Sequence, residues 1–143
     1  MSDGAVRTRA ARVLVVEDAP DLRALYVTWL LGHGYDVDEA SDGRRAWERI
    51  RARRPDVVLL DLGLPTIDGQ RVATWLRLDR QRRAPAVIVI TGQLEPDAIQ
   101  AARDAGVDAV LFKPCGEAEI TEAIEAQLAR IAHADARTGS STA

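Results

Sequence analysis

Four short apolar runs in this chain each end at a group suited to phosphate and magnesium. Glu17 and Asp18 follow Val13 to Val16, Asp61 follows Val57 to Leu60, Thr91 follows Val87 to Ile90, and Lys113 with Pro114 follows Val110 to Phe112. Lys113 is the only lysine in the sequence, so its place after such a run looks selected. Three carboxylates forced together repel one another and favour a hard cation at neutral pH. Mg2+ is the natural occupant, because it takes oxygen ligands and commonly joins a carboxylate or two to a phosphate. Asp61 ends the most apolar run, and a carboxylate there can attack phosphorus to give an acyl phosphate. The Lys113 ammonium and the Thr91 hydroxyl can then bind the phosphoryl oxygens, a reaction that needs positioning and charge neutralisation above all.

This chemistry requires the four run ends to meet at one edge. Short fully apolar runs read as strands buried on both faces, and in open α/β sheets ligands bind outside the carboxyl ends of the strands. A helix follows the first run, with Pro20 in its first turn and Leu22, Leu25, Tyr26, Trp29 and Leu30 at helical spacing before Gly32 and Gly34. Tyr35 to Asp38 alternates apolar and polar, as an edge strand does. Asp42 caps a second helix that turns Ala46, Trp47 and Ile50 inward. Val57 to Asp61 should be the central strand, and a helix carrying Val72 and Leu76 starts at Asp68. Ala86 to Thr91 is the fourth strand, Glu95 to Ala105 a short and weakly apolar helix, and Ala109 to Phe112 the fifth strand. Ile120, Ile124, Leu128 and Ile131 mark the closing helix. Five strands alternating with five helices imply a doubly wound α/β/α sandwich of three layers. The expected divisions are a flexible N-terminal arm over 1–11, one domain over 12–132 and a flexible tail over 133–143.

Composition removes several classes. A chain of 143 residues fits one domain, and a domain of this size buries roughly 70% of the surface its unfolded chain exposes. Its formal net charge of -3 argues against direct nucleic-acid binding. No apolar leader or membrane span is visible, and the lone Cys115 cannot form an internal disulfide, so a cytoplasmic protein is expected.

The chain resembles the response-regulator receiver domains of two-component signalling from about Arg12 to about Ala132. The resemblance is carried by VLVVED (Val13 to Asp18), PDVVLLDLGLP (Pro55 to Pro65) with Asp68 and Gly69, VITG (Val89 to Gly92) and AGVDAVLFKP (Ala105 to Pro114). It implies a flavodoxin-like sheet of order 2-1-3-4-5, the arrangement the receiver family itself illustrates. It also implies that Asp61 accepts phosphate from a phosphohistidine on a sensor histidine kinase or histidine phosphotransfer protein. Glu17, Asp18, Asp61 and the backbone carbonyl of Gly63 would hold Mg2+, and Lys113 would contact the phosphoryl group. Thr91 and Phe112 would be the switch pair, and the Lys113–Pro114 bond would be cis. A phosphoacceptor rather than an enzyme is expected, speaking to a downstream protein or a fused output domain. The face of the fourth helix, fifth strand and fifth helix is where a dimer would form. Glu17 stands where Asp is commoner, and Gly63 and Gln93 occupy rim positions that vary in the family.

Two other functions are open to such a sequence. An aspartate-nucleophile phosphatase needs a second acid two residues after the nucleophile, where this chain has Gly63. A degenerate receiver acting as a constitutive binding module would lack some of the acceptor groups, all of which are here. Taken singly, Asp18 could be a helix cap and Thr91 a turn residue; it is their company that points to chemistry. Cys115 reads as a small packing residue, and neither His33, at a helix end, nor His133, in the tail, resembles a catalytic or metal histidine.

Overall fold

The central strand, Val57–Asp61, carries four buried residues in succession before its terminal aspartate, the pattern of a strand covered on both faces. In the computed structural model, which describes residues 10–61, 85–92 and 96–141, it is β3 of a five-stranded sheet. The others are β1 (Arg12–Val16), β2 (Asp36–Ala40), β4 (Ala86–Thr91) and β5 (Ala109–Phe112). Their order is β2-β1-β3-β4-β5, with every neighbouring pair parallel. The order expected from the resemblance is thus the one observed. Four helices lie among the described residues: α1 (Pro20–Gly32), α2 (Gly43–Ala52), α3 (Pro96–Asp104) and α4 (Glu117–Ser141). The helix expected to begin at Asp68, with its Val72 and Leu76, lies outside the described residues.

Because successive strand residues point to opposite faces, each strand feeds two cores. Val13, Val15, Val57, Leu59, Ile88 and Ile90 pack under α1 and α4 against Tyr26, Leu30, Ile120 and Ile124. Leu14, Val16, Val58, Leu60, Val87 and Val89 pack on the other face, with Ala46 and Ile50 of α2 and Ala102 of α3. The three layers follow from this division.

The helix ends obey local chemistry. Asp42 accepts a hydrogen bond from the Arg45 N–H at 2.8 Å and caps α2, as expected. Gly34 adopts a positive φ of 88° just past α1, a conformation that favours glycine. The Glu119 side chain reaches back to the Gly116 N–H at 3.0 Å at the start of α4.

Two expectations need correction. Leu25 was assigned to the inward stripe of α1, but it is 41% exposed, whereas Val27 is partly buried. Leu25 neighbours the buried Tyr26 and is therefore turned about 100° from it round the helix. The stretch from His133, read as a flexible tail, continues α4 as far as Ser141. Apolar periodicity does end at Ile131, and residues 132–136 are exposed; Ala132, Ala134 and Ala136 favour the helix over that stretch by propensity.

Candidate functional site

The sheet register places the acids. Val16 of β1 is opposite Leu60 of β3, so the next residues along, Glu17 and Asp61, emerge side by side at the carboxyl edge. Asp18 follows Glu17, and ligand oxygens of Glu17, Asp18 and Asp61 all lie within 4.8 Å of one another. Glu17 is 2% exposed, whereas Asp18 is open to solvent. On the other side of β3, β4 delivers Thr91, 1% exposed, whose register partner on β5 is Phe112. Lys113 comes next. Its Nζ lies 3.2 Å from Glu17 Oε1 and 3.5 Å from Asp61 Oδ2, and its backbone N–H donates to the Thr91 carbonyl at 2.8 Å.

The four run ends of the sequence therefore converge, with the Lys113 ammonium against two of the three carboxylates. Phe112 is turned outward and is 41% exposed, while Thr91 beside it is buried. The Lys113–Pro114 peptide is cis. Gly63, whose carbonyl completes the expected metal set, and Gln93 lie outside the described residues.

Electrostatics follow from burial. Loss of water pushes the Glu17 carboxyl up to about 7, aided by the nearby Asp61 and a hydrogen bond with Asp18, and opposed by the Ala19 N–H and by Lys113. Burial disfavours the Lys113 ammonium, but the Asp61 and Glu17 carboxylates outweigh that effect and hold its proton more tightly than usual. Oxygen is the sole donor type in the cluster, and the repulsion among its acids is what a bound divalent cation relieves; the residues present fit Mg2+.

One contact was not anticipated from the sequence. Arg23 in α1 donates from Nη1 to the backbone carbonyl of Glu17 at 2.8 Å and from Nε to Glu39 Oε1 at 3.0 Å. The available signal was its position near the N-terminal end of a helix, where the macrodipole is unfavourable to a cation. A second neighbour of the site, Cys115, is buried; burial pushes its thiol up, a tendency eased by a hydrogen bond with Tyr26.

The chain is similar to several known proteins. The transcriptional regulator KdpE of Escherichia coli is 39% identical over 118 residues, which are 82% of this chain and 51% of KdpE. The transcriptional regulatory protein PdtaR of Mycobacterium tuberculosis is 35% identical over 129 residues, 90% of this chain and 62% of PdtaR. The chain thus spans about half to three fifths of the length of these curated relatives. Among solved structures, a signal receiver domain from Vibrio parahaemolyticus superimposes with a TM-score of 0.81 at 28% identity, covering 88% of this chain and 95% of that one. The family model of the response regulator receiver domain matches residues 13–125, a span that begins with β1, ends within α4 and takes in every strand end described above. The chain belongs to the response regulator receiver domain family.

Proposed function

We propose that this receiver domain accepts a phosphoryl group on Asp61 in a Mg2+-dependent reaction. The observation that carries the reading is the placement of the Asp61 carboxylate within 4.8 Å of the Glu17 and Asp18 oxygens and 3.5 Å from the Lys113 ammonium. Glu17, Asp18 and Asp61, with the Gly63 carbonyl, would hold the ion. When bound, Mg2+ supplies charge neutralisation to the phosphoryl oxygens. Asp61 Oδ attacks phosphorus in line, the P–N bond to the donor imidazole breaks, and the histidine leaves with the bonding pair. Lys113 neutralises one phosphoryl oxygen, and the Thr91 hydroxyl donates to another. Hydrolysis of the acyl phosphate restores Asp61.

The donor in this reading is a sensor histidine kinase or a histidine phosphotransfer protein in the cytoplasm. The response runs through Thr91 and Phe112 to the face of α3, β5 and α4, where a downstream protein, a fused output domain or a second copy docks. Turnover of phosphate esters is not favoured, since position 63 is glycine and offers no acid to a leaving group. The test is labelling by acetyl phosphate or a histidine kinase. Wild-type protein with Mg2+ should acquire a hydroxylamine-sensitive phosphate, and Asp61→Asn should lose it. Equal labelling of both proteins would remove Asp61 from its role.

A further inference from the structure

Among the described residues, Arg23 is a charged group near the site that the proposed chemistry leaves without a task. It is held at both ends of its guanidinium, by the Glu17 carbonyl at 2.8 Å and by Glu39 of β2 at 3.0 Å, and only 20% of its side chain is exposed. The Glu17 N–H is tied to the same strand, donating to the Ala40 carbonyl at 3.1 Å. The backbone of Glu17 is therefore fixed to β2 at its nitrogen directly and at its oxygen through Arg23 and Glu39. That oxygen belongs to the peptide joining Glu17 to Asp18, and its direction sets where the second acid begins.

We infer that Arg23, steered by Glu39, is a positioning residue for the acidic cluster: it locks the peptide plane between Glu17 and Asp18 and so keeps their carboxylates at the spacing that suits one divalent cation. The inference rests on the reading of the cluster as the Mg2+ site. Arginine suits the task because its planar fork offers donors in fixed directions, one to a carbonyl and one to a carboxylate. A lysine offers three donors on one rotating ammonium at the end of a flexible stem, with no fixed directions.

Arg23 has two effects on metal binding, and they carry opposite signs. As a cation beside three acids it repels Mg2+, so its removal as a mere charge would tighten binding. As the lock on the Glu17 carbonyl its removal would loosen binding. Groups that orient metal ligands typically contribute about 10-fold to 100-fold in affinity, and the positioning effect should therefore win.

The experiment is a calorimetric titration of the unphosphorylated protein with MgCl2, alongside thermal unfolding in EDTA. Arg23→Ala should bind Mg2+ about 10-fold more weakly while its unfolding midpoint in EDTA stays close to that of the wild type. Arg23→Lys, which keeps the charge but loses the rigid planar pair of donors, should fall between. Unchanged or tighter binding in Arg23→Ala overturns the inference. Should that variant unfold, Arg23→Lys carries the test, and affinity equal to wild type overturns it. Asp61→Asn in the same series separates two failures. Wild-type protein that binds no Mg2+, or binds it equally in Asp61→Asn, overturns the reading of the site and this inference with it. Asp61-dependent binding that survives in the Arg23 variants overturns this inference alone.

Discussion

Glu17 is an acid held where its charge is poorly tolerated, and that gives the site a pH signature. Its pKa is about 7 in the folded chain against an ordinary 4.5. Between those values the folded protein keeps a proton that the unfolded chain has released, so stability without metal should fall as pH rises through this window and level off above it. Mg2+ requires the ionised form, so binding expels that proton and apparent affinity should climb from pH 5 to about 7 and then flatten. Titrations with MgCl2 at several pH values, paired with urea unfolding in EDTA, would check both slopes. A flat affinity across this range would mean that Glu17 is already ionised in the free protein. At this scale the sequence was informative about groups that end apolar runs: Glu17, Asp18, Asp61, Thr91 and Lys113 were named from type and position, and the register brings them together. Arg23 escaped because its partner is a backbone carbonyl, which no pattern of side-chain types displays.

Among the elements, the strands were the most legible, since four buried residues in a row leave little choice in β3. The helices were less so. The stripe of α1 was drawn one position too wide at Leu25, and the end of α4 was missed because the helix runs on past Ile131, where its apolar periodicity stops. The short α3 is the element through which a signal should pass. Its only fully buried side chain among those described is Ala102, and the strand that precedes it ends at Thr91. Amide exchange with and without a beryllofluoride mimic of the acyl phosphate should show its largest differences between Gly92 and Asp104 and around Phe112. Differences concentrated on α1 instead would end the switch reading of Thr91 and Phe112 and leave Asp61 untouched.

At the scale of the whole molecule, stability rests on two cores that share one sheet. Leu59 is 1% exposed at the centre of the core beneath α1 and α4. Leu59→Ala should cost about 2–5 kcal/mol by lost burial and cavity formation, read as a lower urea midpoint at unchanged slope. A loss under about 1 kcal/mol would mean that the neighbouring side chains collapse into the gap. The two margins of the sheet are unlike one another. β2 carries Asp36, Asp38 and Glu39, with the guanidiniums of Arg12, Arg53, Arg49 and Arg23 drawn in around them. A strand approaching there would have to strip water from every one of these charges. β5 is four residues long and reads AVLF, with no charge along it. Among the described residues the sheet is fenced by charge on one flank and free of it on the other, so a chain that lengthens this sheet in an aggregate is expected to add at Ala109–Phe112.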